Sequence, residues 1–452
     1  MSAAEKETHA KIERMHGYDG IWHCLGHGFG AGFVVGFGGI VALNTVLKII
    51  RILRKGGAGG GSLAADLIDG ALQYGLSAGT VVGMHNAVIH LTRNLSEASP
   101  LWRYRGALAG AAGGCGFAFL PRESRRTWAI FLCVRALDQQ ARILSTKRWV
   151  PRPLREFKDA DSALMMLVNG FIIYLYIHHP SELSGVYLSF LNRMSQLPLP
   201  HVDAVRDMCN GRALDWRAIN ATTLASAPKG VPLRPSAILK ETQAAQQVYD
   251  STPFFLGKVL YPHRNFMPYL SFVAQHFAKG ILLSLPMYLQ VSGLSGVLFS
   301  WKKLLGNPLN FGANLIMNAM RSSCFLAAYC ALGLGSLIPL RELGLRFSTT
   351  GVMGGNIITY LAGAIGGSCV LLEKKSRRIE LALYVMQKVV DALLSLSAIR
   401  VRIPAPNIVF ASLALMSWSH CNFSYEDALR KSYRSAFRKL FDGRELHSMF
   451  IS

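Results

Sequence analysis

Apolar residues in this chain gather into long runs without the two-residue alternation of a half-buried strand, and basic residues sit at the ends of those runs. About 20 mostly apolar residues in a helix cross the hydrocarbon core of a bilayer, and glycine is tolerated there. Runs near 21–47, 64–91, 104–121 and 162–178 are read as spans on that basis. A second set lies near 268–298, 311–340, 350–372 and 406–421. Two further apolar runs, 127–143 and 379–398, carry charge: Arg135 and Asp138 in the first, Lys388 and Asp391 in the second. The pattern predicts an all-α, polytopic helical membrane protein. It is divided into an N-terminal tail 1–20, a membrane repeat 21–189, a linker 190–265, a membrane repeat 266–423 and a basic C-terminal tail 424–452. The linker is polar and holds Pro198, Pro200, Pro228, Pro232 and Pro235, which predicts short amphipathic helices. Gly56 to Gly61 reads as a flexible loop.

The two sets of spans echo one another. Ser124-Arg125-Arg126 recurs as Ser376-Arg377-Arg378 at an offset of 252, and Arg135/Asp138 recurs as Lys388/Asp391 at 253. Ala109-Gly110 and Gly113-Gly114 recur as Ala362-Gly363 and Gly366-Gly367 at 253, and Leu67-Ile68 recurs as Leu315-Ile316 at 248. His27 and His178 are echoed by His276 and His420. Offsets that drift only as loops lengthen predict duplication of one multi-helix unit, as in many transporter folds.

Charge then bears on topology. The 452 residues are 51% hydrophobic and 16% charged, too little polar surface for a soluble globule of this size, yet the net charge is +22. Basic loops against anionic headgroups account for both. Lys48, Arg51, Arg54, Lys55, Arg122, Arg125 and Arg126 fall on one face of the first half, and only Arg93, Arg103 and Arg105 on the other. Lys302, Lys303, Lys374, Lys375, Arg377 and Arg378 take the equivalent ends in the second half, against Arg341 and Arg346. Placing both basic faces inside makes the repeats parallel, with four spans each and an interfacial helix at 127–143 and at 379–398. If those helices cross instead, five spans per half invert the repeats.

Candidate polar sites are few. Arg135/Asp138 and Lys388/Asp391 stand three residues apart on one helix face, where each acid can neutralise its base. Ionisable residues at membrane depth mark function by default, and solvated pairs on an in-plane helix are the competing reading. Asp66 and Asp69 raise the same question near a span end, and snorkelling accounts for Lys279 and Arg321. Glycines recur at four-residue spacing: Gly28, Gly32 and Gly36; Gly75, Gly79 and Gly83; Gly106, Gly110 and Gly114; and Gly351, Gly355, Gly363 and Gly367. Each series lies on one helix face and suits close helix packing, the alternative being a glycine-lined groove.

Eight cysteines show no CxxC spacing and read as buried thiols. His178, His179 and His420 close apolar runs, where a polar tip at the interface needs no metal. No HExxH, P-loop, nucleophile elbow or dinucleotide fingerprint is present, so no enzyme, cofactor or metal centre is expected. Basic residues are not interleaved with aromatic ones, which argues against nucleic acid. The N-terminus lacks the apolar core of a secretory signal and the C-terminus the peroxisomal matrix tripeptide, so organelle targeting is expected to be internal.

Leu371-Leu372-Glu373-Lys374-Lys375-Ser376-Arg377-Arg378, followed by Glu380-Leu381-Ala382-Leu383-Tyr384-Val385 and preceded by Ala362-Gly363, resembles the transmembrane protein 135 family. Arg122-Glu123-Ser124-Arg125-Arg126 is the counterpart in the first half. The resemblance covers most of both halves. It implies a multi-span protein of peroxisomal or mitochondrial membranes, linked to lipid homeostasis and organelle dynamics, with a repeat related to mitochondrial preprotein translocase channels. The cysteine-rich segment of animal members has no counterpart here, where Tyr261-Pro262-His263-Arg264 stands before the second half.

Three roles follow as expectations. The first is lipid or sterol handling, with membrane lipids as partners, anionic headgroups or sterol among them. The second is a translocase-like conduit lined by Asp66, Asp69, Arg135, Asp138, Lys388 and Asp391. The third is a structural subunit of a larger mitochondrial membrane complex, docked through 190–265, or a homo-oligomer.

Overall fold

The computed structural model describes helical residues between 25 and 34, and residues 63–93, 99–197, 199–209, 267–346, 352–397 and 405–425. All regular structure among them is helical. Helix α1 is Leu63–Arg93, α2 Pro100–Arg103, α3 Arg105–Gly113, α4 Arg122–Thr146, α5 Arg152–Arg155, α6 Ala160–His178, α7 Gly185–Ser195 and α8 Leu199–Cys209. Helix α9 is Met267–Gly306, α10 Pro308–Arg346, α11 Val352–Gly367, α12 Lys375–Leu396 and α13 Pro406–Ser424. Short 3-10 segments at Gly114–Phe119 and Ser368–Leu372 follow α3 and α11, and another at Pro180–Glu182 follows α6. Among the described residues two helices are long and apolar enough to cross a membrane, Ala160–His178 and Pro308–Leu337, where eight spans were expected. The stretch Asn356–Leu372 is apolar but shorter.

Packing divides the chain into two compact units, Met1–Phe157 with Arg400–Ser452, and Lys158–Ile399. The division crosses the linear order of the spans. In the first unit α13, from near the end of the chain, packs on α3, α4 and the 3-10 segment after α3, and α1 packs on α3. The core there is Phe117, Leu120, Ala129, Leu132, Ala136, Ala411, Ala414 and Leu415. In the second unit α6 packs on α11 and α12, while α9 and α10 form a long hairpin. Its larger core runs from Val168, Ile172 and Leu175 to Leu337, Val370, Val385 and Val389. Helices α7 and α8, at the start of the expected linker, pack in this unit against α9, α10, α6 and α11.

Glycine brings the helix backbones together. A Cβ at Gly106 would stand 2.9 Å from Ser419 O, and one at Gly110 would run into Leu415 O. One at Gly114 would run into Ser412. These pairs descend along α13 as they climb α3, so the two helices are antiparallel. On another side of α3, a Cβ at Gly113 would stand 2.9 Å from Val81 O and one at Gly116 2.7 Å from Ser77 O. In the second unit Gly363 meets Asn169 O, Gly367 meets Met165 O at 3.0 Å, and Gly366 meets Tyr329 O at 3.0 Å. Without a hydrophobic drive between helices in lipid, such approaches gain dispersion contact that a larger residue would prevent.

The runs 127–143 and 379–398 do not lie across the ends of their bundles. Cys133 Sγ stands 3.7 Å from Phe410 O, Gln140 Nε2 donates to Ser417 Oγ at 2.8 Å, and Lys147 Nζ donates to Tyr425 Oη at 2.9 Å. Helix α4 therefore runs parallel to α13 over some four turns. Helix α12 pairs Arg378 with Asp159 at the start of α6 and packs on α6 and on the Pro180–Glu182 turn after it. Both helices thus pack along the helices of their own unit.

Candidate functional site

The turns that join α3 to α4 and α11 to α12 carry the basic signatures, and each commits one arginine to the backbone. A helix end leaves carbonyls without intrahelical partners. Arg125 Nε donates to Leu120 O at 2.9 Å and its Nη2 to Ala118 O at 2.6 Å. Arg378 Nε donates to Glu373 O at 3.1 Å and its Nη2 to Leu371 O at 2.9 Å. The guanidinium fork thus closes the 3-10 segment and ties it to the next helix. These contacts equate Arg125 with Arg378, an offset of 253, whereas the sequence match of Ser124-Arg125-Arg126 to Ser376-Arg377-Arg378 runs at 252.

Around the caps the two turns differ in chemistry. In the first unit Tyr74 Oη donates to Ser124 Oγ at 2.8 Å, and Leu120 is buried. In the second, Ser322 Oγ donates to the Glu373 carboxylate at 2.6 Å, Lys374 N donates to the same carboxylate at 3.0 Å, and Arg377 Nη1 lies 3.3 Å from Ser322 Oγ. Glu373 is only 3% exposed, so a carboxylate is held inside where the first unit holds a leucine. Arg378 also stands 3.8 Å from Asp159. Arg126, Lys374, Lys375 and Ser376 complete the two turns, the last three exposed.

The charged pairs on α4 and α12 are engaged along their own helices. Asp138, whose side chain is 8% exposed, meets Arg142 Nε at 3.4 Å, four residues on. Arg135 stacks over Phe131 at 5.2 Å. Lys388 lies over Tyr384 at 5.7 Å. Asp66 and Asp69 lie on α1, with side chains outside the described residues, as is the surrounding of Gly355. Gly36 and Gly351 lie outside the described residues altogether. Gly28 and Gly83 approach one another, a Cβ on the first standing 3.2 Å from Gly83 Cα, Gly79 approaches Phe29 O at 2.8 Å, Gly32 packs on Ala78 and Gly79, and Gly75 is buried.

Interior polar groups escaped the sequence reading. His85 Nε2 lies 2.8 Å from Ser419 Oγ, joining α1 to α13 deep in the first unit. Gln140 reaches Ser417 and Cys421 on α13. Gln139 is fully buried with neither amide atom hydrogen-bonded, as are Asn169 Nδ2 and Tyr329 Oη in the second unit. His178 Nε2 bonds Thr359 Oγ1 at 3.1 Å, whereas His420 stacks on Tyr104, so the two echoed histidines serve different contacts. Among the described residues no three His, Cys, Asp or Glu side chains converge as a metal would require. No protein family, curated protein or solved structure matches this chain.

Proposed function

We propose that this chain is a multi-pass membrane protein of peroxisomes or mitochondria, assembled by internal duplication, that handles lipid without enzymatic chemistry. The observation that carries the membrane reading is the apolar outer surface. Large side chains stand out from the helices, with Leu309 at 86% exposed and Met317 at 68%, while serine, histidine and glutamine turn inward. That inversion suits acyl chains as the solvent.

Matched contacts support the duplication. Arg125 and Arg378 cap equivalent segments, Tyr74 to Ser124 corresponds to Ser322 to Arg377, and Gly113 against Val81 corresponds to Gly366 against Tyr329. Gly110 against Leu415 corresponds to Gly363 against Asn169. Each unit is thus completed by the last span of the other half. With α4 beside α13 and α12 along α6, five crossings per half follow, and alternation inverts the second half in the membrane.

The glycine faces, expected to line a lipid groove between the halves, meet neighbouring backbones instead, so the outer faces are where lipid would be handled. The resemblance to the transmembrane protein 135 family points to the same chemistry and to the same organelles. Photoactivatable phospholipid and sterol probes, applied to the full chain in native organelle membranes, test this reading. Adducts on outward residues such as Leu309 and Met317 are expected. Selective solute flux through the purified chain, with no lipid adduct, would replace it with the conduit.

A further inference from the structure

We propose that the turn between α11 and α12 binds the phosphate of an anionic phospholipid, whose acyl chains lie on the leucines before it. The proposal rests on the membrane reading above and adds a ligand class and a place. Lys374, Lys375 and Arg377 are exposed on this turn. Arg321 is exposed on α10, next in sequence to Ser322, whose hydroxyl bonds Glu373 at 2.6 Å and lies 3.3 Å from Arg377. Ser322 therefore brings the stretch of α10 that bears Arg321 to the turn.

Two features make this more than a basic loop. The acid in the turn, Glu373, points inward to Ser322 and the Lys374 amide, so its charge is withdrawn from the surface that a phosphate would approach. Leu371 and Leu372, directly before the cations, are 54% and 50% exposed. A free phosphate or an acidic peptide has no use for the leucines, whereas a phospholipid satisfies both parts at once. The equivalent turn of the first unit lacks this arrangement. There Glu123 is exposed beside Arg122, so the acid faces the surface that a phosphate would approach.

The test uses the full chain in neutral detergent, with thermal unfolding followed as phosphatidylglycerol, phosphatidylcholine or inorganic phosphate is added. Phosphatidylglycerol should raise Tm, and the other two should not. The triple variant R321Q/K374Q/K375Q should keep the unliganded Tm and bind phosphatidylglycerol about 100-fold more weakly. The first-unit variant R122Q/R148Q/R152Q should bind as the parent does. An unchanged shift in R321Q/K374Q/K375Q, an equal shift from inorganic phosphate, or no shift in a chain that resists alkaline carbonate extraction overturns the site. Release by carbonate overturns the membrane reading itself.

Discussion

Arg125 and Arg378 look like topogenic charges and act as clamps. Each spends its fork on two carbonyls, a role lysine cannot copy with one ammonium. Arg125→Lys or Arg378→Lys should therefore lower stability by about 1–3 kcal/mol, while Arg122→Lys on the exposed side should change it little. Thermal unfolding in detergent reads the difference, and equal effects at 122 and 125 would refute the clamp. Glycine makes a second contrast. Gly363→Ala drives a Cβ into Asn169 O and should destabilise, whereas Gly312→Ala enters open space and should stabilise α10 by up to about 1 kcal/mol. The glycine seams were legible because spacing alone puts Gly106, Gly110 and Gly114 on one face. The arginine role was not, since sequence shows a charge without its direction, and a literal match of Ser-Arg-Arg hid the one-residue shift. His85 and Gln139 gave no signal, because a lone polar residue in an apolar run does not declare its partner.

At the level of elements, α4 decides how many times the chain crosses. Its charges suggested an in-plane helix, yet Asp138 is answered by Arg142 and Arg135 by an aromatic face, which lowers the cost of burying them. A short bifunctional maleimide should bridge Gln140→Cys and Ser417→Cys, whose parent side chains touch at 2.8 Å, and mass spectrometry of peptides would detect the bridge. Failure of that pair to cross-link, with α13 otherwise folded, would count against the parallel packing. Helices α9 and α10, 40 and 39 residues long, reach about 60 Å, roughly twice the thickness of a bilayer's hydrocarbon core. Pro286 and Pro339 mark where each can bend. The apolar runs ended near 298 and 340, short of both helix ends, since hydropathy reads the apolar part of a helix and not its polar extension. On α8, burial pushes the His201 pKa below its ordinary 6.5. The folded state then prefers neutral imidazole, so its stabilisation holds above pH 6.5 and fades as pH falls below it. Amide exchange across 199–209 should quicken on acidification beyond the intrinsic change, and His201→Leu should remove that dependence.

For the whole molecule, the chain's halves and its compact units are different partitions. Charge and glycine offsets suggested a repeat, but which helix completes which unit depends on contacts between distant segments, and no periodicity encodes them. Severing the linker tests the partition. Residues 1–227 contain α1, α3 and α4 without α13, and should be degraded when expressed alone. Co-expression with 228–452 should restore a folded complex that co-purifies. A first half that folds by itself, seen as a cooperative transition at the parent Tm, would refute the exchange of α6 and α13. The account stands most directly on the side each basic turn faces. Arg122→Cys and Lys375→Cys, both at exposed positions of equivalent turns, should be labelled by a membrane-impermeant maleimide in sealed organelles. Labelling of the two sites from opposite sides is predicted if α4 and α12 cross, whereas labelling from the same side would contradict the inverted ten-crossing arrangement.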